Sequence, residues 1–502
     1  MKRVLTLILT LVMIVSLCAC GGETGEKESG KDAAKEPSFD TLAVGVSRQD
    51  ITPDHPIGAH INGGGDPNRL AENILDDLTI TCVAITDKEN NTVLFYSQDI
   101  HNPVPAFTDG YRRSISEATG VPYESIYMTA THTHSSLMPT DASQTGNVEF
   151  TAKYEKAILA AAKEALEDRA PAQMYCSEVD VQEKNNGQAM AFVRHYSMLD
   201  GSVFGSNFGK YNQTLISGFP YEADNEAQLV KIEREGKQGV LMMNWPAHST
   251  FHGTTALKNI SADYPAYVRH YIEENTDYTF ALFLSGAGDQ TPHAKLYPQA
   301  NHGLECDAYG AALGKIIADY AAQESNFRKV EDDVIKQKSL TITVNSNLIS
   351  DEQQELAAKA EDAYNYFLEH GQAEGTTYAV EKGFQSCYEA RSFVTRMKLD
   401  PTAEITIDVM TLGNMAFPIA GYEISGGSSR AIKDAFKNSN DYTMAFMVAY
   451  CNNNMGYIPP VSNFEYNNNR GSYEAYDCHY AKGTCEQLTE SYIQLIKDMK
   501  AN

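Results

Sequence analysis

The chain has 502 residues and a net charge of −26, from 40 basic and 66 acidic side chains. A charge this negative repels the phosphate backbone, so nucleic acid is excluded as an expected partner. The length exceeds that of most single domains, yet no linker, repeat or low-complexity run interrupts the sequence from Phe39 onward. We therefore predict one large domain of enzyme size over residues 39–502.

The N-terminus has the features of an export signal. Two basic residues precede the apolar run from Val4 to Leu17, which is too short to span a bilayer. The step Leu17-Cys18-Ala19-Cys20 resembles the lipobox of bacterial lipoproteins, which implies a signal over residues 1–20 and acylation of Cys20. Residues 21–38 have almost no apolar surface and are predicted to be a flexible tether. We expect an extracytoplasmic protein anchored to the bacterial cell membrane, or a secreted one if the signal is an ordinary cleaved peptide.

Beyond the tether, short apolar runs alternate with longer amphipathic ones, which indicates strands alternating with helices. The predicted strands are residues 79–86, 93–96, 126–130, 239–244, 278–284, 340–344, 405–410 and 442–450. The predicted helices are residues 152–165, 264–274, 308–322, 351–369, 428–436 and 486–499, with Asp263 as the N-cap of the second. This alternation predicts an α/β (mixed α+β) domain with a central mixed sheet flanked by helices.

The cysteines do not form a recognisable framework. Apart from Cys18 and Cys20, seven are scattered along the chain without a CxxC pair. This scatter argues against a zinc ribbon or a disulfide scaffold, although Cys478 and Cys485 could pair locally.

The predicted strand 126–130 leads into the most informative motif, Thr131-His132-Thr133-His134-Ser135. Because side chains alternate along an extended segment, His132 and His134 are expected to point the same way. Neutral imidazole is a common zinc ligand, and two on one face can share a metal or divide ligand and proton-transfer roles. Two polar residues at the end of a strand are the alternative.

Four more groups of polar and small residues open the domain or follow predicted strands, where alternating folds usually keep their chemistry. They are Gly45-Val46-Ser47-Arg48-Gln49-Asp50-Ile51-Thr52-Pro53; Asn244-Trp245-Pro246-Ala247-His248-Ser249 with Ile260-Ser261-Ala262-Asp263-Tyr264; Ser285-Gly286-Ala287-Gly288-Asp289-Gln290-Thr291-Pro292; and Gly421-Tyr422-Glu423, Gly456-Tyr457-Ile458 and Ser472-Tyr473-Glu474-Ala475. In this order and spacing, together with the two histidines, they resemble the neutral/alkaline (non-lysosomal) ceramidase family from about Leu42 to Leu495. That family has a zinc-dependent amidase domain that cleaves the N-acyl bond of ceramide. The resemblance implies that fold and that activity for this chain, for the amidase domain only.

The resemblance also implies the residues of the site, position by position. The zinc ligands fall on His132, His248, Glu423 and Tyr457. The catalytic positions fall on His134, Arg194, Thr291, Tyr457 and Tyr473. Thr291 stands where the family has a serine, so the hydroxyl is kept and a β-branched methyl is added.

These roles form a coherent reaction. Two imidazoles and a carboxylate hold zinc with one position open for water, whose pKa the metal lowers towards about 7. The resulting hydroxide attacks an amide carbonyl, and the metal with Tyr457 or Arg194 stabilises the oxyanion. His134 moves protons to the leaving amine. Tyr457 either binds the metal or mainly donates a hydrogen bond.

Each residue also has a purely structural interpretation. His248 could be a buried histidine satisfied by a backbone carbonyl, and Glu423 could be an acidic residue at the start of a helix. The two tyrosines could be packing residues among the 29 of the chain. Asp99 and His101 have the side chains of metal ligands as well, but the resemblance provides no matching pair, so they are left out of the predicted site.

We therefore expect a lipid-anchored, zinc-dependent amidohydrolase with a lipid substrate, ceramide or a close N-acyl lipid, and membrane attachment through an acylated Cys20. One alternative is a metal-dependent hydrolase of another amide or ester, with Thr291 marking the change. The other is a surface lipoprotein that binds a solute and has lost turnover. If the protein bound its ligand without requiring a metal, this solute-binding lipoprotein would be the favoured interpretation.

Overall fold

A computed structural model describes residues 38–500, except 64, 65, 67, 206–212, 254–256, 440 and 454. The predicted export signal, the acylated Cys20 and the predicted tether, apart from Ser38, lie outside the described residues. Phe39–Asn502 form one compact unit. Among the described residues, no helix combines the length and the apolar character needed to cross a membrane.

A large mixed sheet forms the centre of the fold, as the sequence predicted. Its strands are β1 (Ala43–Asp50), β2 (Thr79–Thr86), β3 (Thr92–Gln98), β4 (Ile126–Ala130), β5 (Ala170–Asp180), β6 (Glu226–Arg234), β7 (Lys237–Trp245), β8 (Tyr278–Leu284) and the short β9 (Arg328–Lys329). Their spatial order is β8-β7-β6-β5-β1-β2-β3-β4, and β9 pairs with β5. The pairs β3–β4 and β7–β8 are parallel, and the others are antiparallel. The carboxyl ends of β3 and β4 therefore meet at one edge, as do those of β7 and β8.

Both faces of the sheet are buried at β2, β3 and β4, which explains why these strands appear in the sequence as nearly continuous apolar runs. In β3, Leu94 and Tyr96 belong to one hydrophobic cluster, whereas Val93 and Phe95 belong to another. Side chains that alternate along a strand point to opposite faces, so the two clusters lie on opposite sides of the sheet.

A smaller sheet and several helices complete the layers. The smaller sheet contains β10 (Ile335–Asn345), β11 (Thr402–Leu412), β12 (Met415–Ile419) and β14 (Met444–Ala445), in that order. Phe417 and Phe446 of this region pack in the same cluster as Phe95 of the large sheet. On its other face, residues of β11 share a cluster with the helices α7 (Gly426–Asn438) and α8 (Thr484–Lys500).

The remaining long helices follow the chain between strands. They are α1 (Pro105–Thr119), α2 (Thr145–Glu167), α3 (Tyr264–Asn275), α4 (Cys306–Ala321), α5 (Ala360–Lys382) and α6 (Cys387–Arg396). The first two cover one end of the large sheet, and α3 and α4 cover the other. Asp263 accepts a hydrogen bond from the Tyr264 amide, which confirms its prediction as the N-cap of α3.

Short ladders bring distant loops together at the edge where the long strands end. The strand β13 (Glu423–Ile424) pairs in parallel with β15 (Tyr457–Ile458). Phe192–Val193 pairs with Gln290–Thr291. Further short strands are Asn73–Ile74 with Asn259–Ile260, and Tyr196–Met198 with Val203–Phe204 and Ile216–Gly218.

The predicted strand over residues 442–450 is wrong except at β14. Its apolar residues are buried, but the segment runs irregularly beside β12 rather than forming a full ladder. The amides of Phe446 and Val448 donate to carbonyls of β12. In a parallel ladder the Phe446 carbonyl would accept a hydrogen bond from the amide of residue 418. That residue is Pro418, which has no N–H to donate.

Two other sequence predictions also require correction. The predicted helix 351–369 has the wrong bounds at its start, because a break precedes α5. The element α5 itself consists of two helical segments that meet at Gly371, whose φ of 79° is not helical. The predicted Cys478–Cys485 pair does not form: both thiols are free and buried, and the Cys485 sulfur lies 2.9 Å from the hydroxyl oxygen of Ser428.

Candidate metal centre

His132 and His134 lie just beyond β4, at the carboxyl end predicted to hold chemistry. Their Nε2 atoms are 3.3 Å apart, so the structure brings them together as predicted. The predicted reason is wrong, because His132 has a φ of 56° and is not in an extended segment. A left-handed residue at the end of the strand turns the chain, and the two rings meet at a steep angle of 82°.

A backbone carbonyl fixes the orientation of His132. Its Nδ1 lies 2.7 Å from the carbonyl oxygen of His101, so Nδ1 carries the proton and donates it. The Nε2 atom of His132 then presents a lone pair to the interior of the site. This ring is almost fully buried, whereas His134 is partly exposed.

His248 follows β7 and is held in the same way. Its Nδ1 contacts the carbonyl oxygens of Ala287 and Gln290, both in the loop after β8. The purely structural interpretation of His248, a buried histidine whose ring bonds to a backbone carbonyl, therefore accounts for its Nδ1 atom only. The Nε2 atom instead lies 3.2 Å from a carboxylate oxygen of Glu423.

Glu423 completes the cluster from the ladder of β13 and β15. The oxygen that faces His248 also lies 3.5 Å from the Nε2 atom of His132. Glu423 does not cap α7, since Ser425 accepts the hydrogen bond from the Ser428 amide there. Tyr457 is the register partner of Glu423 across the ladder, and its hydroxyl lies 3.5 Å from the Nε2 atom of His248.

The charges in this cluster are suited to a cation. Burial lowers the pKa of His248 to about 3 and holds the pKa of His132 well below its usual range, so both rings are neutral near pH 7. Each has its proton on Nδ1, so the two Nε2 lone pairs face a carboxylate oxygen with no proton between them. Acceptors that face one another in a buried site need a cation to balance them.

The donor set fits the predicted zinc. The ligand atoms of His132, His248 and Glu423 all lie within 4.8 Å of one another, and all three residues are buried. Two imidazole nitrogens and one carboxylate oxygen leave a fourth position, for water or for Tyr457.

Arg194 is brought to the edge of this cluster together with both predicted tyrosines. Its guanidinium carbon lies 5.2 Å from the ring centroid of Tyr457 and 5.3 Å from that of Tyr473. Its Nε donates to Glu474 at 2.6 Å, and one terminal nitrogen donates to the carbonyl of Gly288 at 2.7 Å. Burial by itself would lower the pKa of Arg194, but its interactions with Tyr457 and with the Glu474 carboxylate raise it above its usual value, so the guanidinium stays charged.

Thr291, another predicted site residue, directly follows Gln290, whose carbonyl oxygen lies 3.2 Å from Nδ1 of His248. It is buried in the short ladder with Phe192, and its hydroxyl donates to the carbonyl of His293 at 2.7 Å. Among the contacts of the described residues, none joins Thr291 to His132, His248 or Glu423.

His101 is the residue that the sequence prediction omitted and that the structure places inside the site. Its ring centroid lies 4.5 Å from those of both His132 and His134, and the three could also hold a metal. The available signal was topological: His101 follows β3, and the carboxyl end of β3 meets that of β4. Asp99, in contrast, forms a buried ion pair with Arg269 at 3.1 Å and serves the core.

Tyr450 and Glu474 were also missed. The Tyr450 hydroxyl lies 3.4 Å from Glu423, and its ring packs 4.4 Å from that of His132. Glu474 contacts both His195 and Arg194, and these two interactions hold the pKa of the Glu474 carboxyl far below its usual range despite burial.

No family model and no curated protein matches the sequence. Solved structures do match the fold. The neutral ceramidase of Pseudomonas aeruginosa superposes with a TM-score of 0.67 at 14% identity, over 91% of this chain and 74% of that one. A ceramidase structure described as complexed with C2 gives a TM-score of 0.67 at 14% identity, over 92% and 76% of the two chains. The protein therefore has the neutral ceramidase fold, as the order of its sequence motifs predicted.

Proposed function

We propose that the protein is a zinc-dependent amidohydrolase that cleaves the N-acyl bond of ceramide, or of a close N-acyl lipid, to a fatty acid and a sphingoid base. The observation that supports this most directly is the buried cluster of His132, His248 and Glu423, in which lone pairs face a carboxylate. The neutral ceramidase fold around the cluster supports the amide as the bond that is cleaved.

Zinc bound to these residues would supply a Lewis acid and a water with a pKa near about 7. The remaining work falls to the protein's own side chains. His134 is partly exposed and adjacent to the cluster, so in this proposal it would carry a proton to the leaving nitrogen. Arg194, held by Glu474 and the Gly288 carbonyl, would stabilise negative charge on the acyl oxygen. The reaction consumes one water: its hydroxyl group bonds to the acyl carbon, the C–N bond breaks, and its other proton goes to the nitrogen of the leaving amine.

The test is release of free sphingoid base from ceramide by the purified protein, before chelation, after chelation and after zinc is added back. We expect activity that chelation removes and zinc restores. If zinc binds stoichiometrically but ceramide is not cleaved, the substrate is another N-acyl amide or ester. If the protein binds no metal but still binds lipid ligands, the solute-binding lipoprotein without turnover is the correct interpretation.

We also propose that the chain is exported and anchored to the membrane through an acylated Cys20. The support is the sequence alone: a basic end, an apolar run and a lipobox-like step. Metabolic labelling with a radiolabelled fatty acid should mark the full chain, and the Cys20→Ser variant should lose the label. Label retained in that variant would contradict the anchor.

A further inference from the structure

A second cluster of metal-ligand side chains lies apart from the residues of the proposed zinc site. His252, Asp263 and Cys306 each offer one ligand atom, and these atoms all lie within 4.8 Å of one another. Asp263 and Cys306 are buried. The Nε2 atom of His252 is buried as well and has no hydrogen-bond partner among the described residues. A buried imidazole nitrogen without a partner points to a ligand that is bound there.

The packing of two helices fixes the spacing of these groups. Asp263 immediately precedes α3, and Cys306 is the first residue of α4. The two helices approach so closely that a Cβ on Gly310 of α4 would lie 2.4 Å from the Cβ of Tyr267. Asp263 also has φ 63° and ψ −158°, a conformation that residues other than glycine adopt only when the surroundings impose it.

Asp263 keeps a lone pair for a metal. One carboxylate oxygen accepts from the Tyr264 amide and the other from the His252 amide, both at 2.8 Å, and the Phe251 amide also donates to the carboxylate. A carboxylate has about four acceptor positions, so three amides leave one position for coordination.

The burial of the pair also suits a bound cation. Asp263 and Cys306 are both shielded from solvent, and a dication between them would stabilise a carboxylate and a thiolate together.

We propose that His252, Asp263 and Cys306 form a second metal site, selective for zinc and structural in role. Nitrogen, oxygen and sulfur donors together suit zinc better than the hard cations, which prefer oxygen alone. Binding releases the thiol proton of Cys306 to solvent and leaves a fourth position for water.

This second metal would hold one wall of the first site. The carbonyl of His252 accepts hydrogen bonds from Arg69 at 2.6 Å and from Ser135 at 2.9 Å. Arg69 in turn donates to the carbonyl of His134. A metal on the His252 side chain therefore fixes the backbone that surrounds His134.

Cobalt substitution tests the proposal, because only a site with a cysteine ligand gives a thiolate-to-Co²⁺ charge-transfer absorption. None of the proposed ligands of the first site is a cysteine. After removal of metal and reloading with Co²⁺, the full chain should bind two ions and show this absorption. Cys306→Ala should bind one ion and lose the absorption, whereas His248→Ala should bind one ion and keep it. The His248→Ala result separates this proposal from the proposed zinc hydrolase.

The matched control is Cys387→Ala, since Cys387 is also buried and is also the first residue of a helix. It should keep both ions and the absorption. If the wild-type chain binds a single Co²⁺ without charge transfer, the proposal is overturned, and this holds even if the Cys306→Ala variant does not fold. The charge of Asp263 would then be balanced by Lys295, a nearby cation: burial lowers the pKa of Lys295, and the Asp263 carboxylate opposes that effect.

Discussion

At the scale of single residues, the metal cluster depends on how each ligand side chain is held in place. His248 reaches Glu423 with Nε2 only because two carbonyls hold Nδ1. We expect His248→Ala to lose zinc from the first site and to reduce hydrolysis by about 10³-fold or more, since a bound metal contributes several kcal/mol to the transition state. Metal content by mass spectrometry and sphingoid-base release measure the two effects.

The control for this variant is His270→Ala, because His270 is exposed on α3. It should leave both metal content and rate unchanged. Full activity in His248→Ala would show that the cluster is not the reaction centre.

The second prediction concerns Arg194 and tests the hydrogen bonds of its guanidinium group rather than metal binding. Arg194→Lys keeps a positive charge but cannot bind Glu474 and the Gly288 carbonyl through a planar fork. We expect kcat to fall by roughly 10²-fold, as for the loss of one oxyanion donor, with zinc content unchanged.

The comparison variant is Arg112→Lys, since Arg112 also stacks on a tyrosine and donates to a backbone carbonyl, that of Ile126 at the end of β4 opposite to the cluster. A loss of rate that Arg112→Lys shares would indicate a general effect of the substitution. A loss of zinc in Arg194→Lys would assign Arg194 to the support of the metal instead.

At the scale of elements, the loop after β8 positions β13 by close backbone contact. The amide of Gly288 donates to the Ile424 carbonyl at 2.8 Å, and a Cβ on Gly288 would lie 2.6 Å from the Glu423 carbonyl oxygen. We expect Gly288→Ala to displace β13, to weaken zinc binding by about 10- to 100-fold and to destabilise the protein by ~1–3 kcal/mol. Zinc competition titration and denaturant unfolding measure these changes.

Gly427→Ala is the matched control, because a Cβ there meets nothing within 4 Å and the residue lies in the first turn of α7. It should leave zinc affinity unchanged and stability equal or slightly higher. Equal zinc affinity in both variants would refute the positioning role of Gly288.

At the scale of the whole molecule, buried neutral histidines make the metal-free protein sensitive to acid. Burial lowers the pKa of His101 to about 4 and the pKa values of His248 and His293 to about 3. In the unfolded chain these histidines have a pKa of about 6.5. Below that pH the unfolded state therefore binds more protons than the folded state. The free energy of unfolding should therefore fall as the pH decreases from about 6.5 towards about 4, by up to about 1.4 kcal/mol per pH unit for each histidine.

Several buried carboxyls act in the opposite sense, and Asp76 is one of them. Burial raises the pKa of Asp76 to about 7, so the contribution of this group makes the folded state less stable as the pH rises from about 4 to 7. Denaturant unfolding of the chelated protein across this range, in the wild type and in Asp76→Asn, separates the two effects. The variant should show the steeper loss in acid, and a flat profile in both would contradict the neutral histidines.

Most of the architecture could be predicted from the sequence, because the relevant information is local. Apolar runs and helical periodicity gave the strands β2, β4 and β8 with their observed bounds. Strands β1, β5 and β6 were not predicted, and the segment 442–450 was predicted as a strand although Pro418 interrupts its ladder. Runs of apolar residues indicate that a segment is buried, but they do not indicate which segment forms hydrogen bonds with it.

The sequence by itself determined which residue types stand at the ends of which strands: two histidines after β4, one after β7, and a glutamate and a tyrosine after glycines near the end of the chain. Only the tertiary structure decided which of these meet. It joined Glu423 to two histidines from different strands, added His101 because parallel strands end side by side, and paired Arg194 with Glu474 across 280 positions. It also directed the Thr291 hydroxyl to His293 and brought His252 to Asp263 and Cys306. The physical reason is that residue type and spacing act locally, whereas the direction of a side chain depends on backbone angles and packing set by segments far away in the sequence.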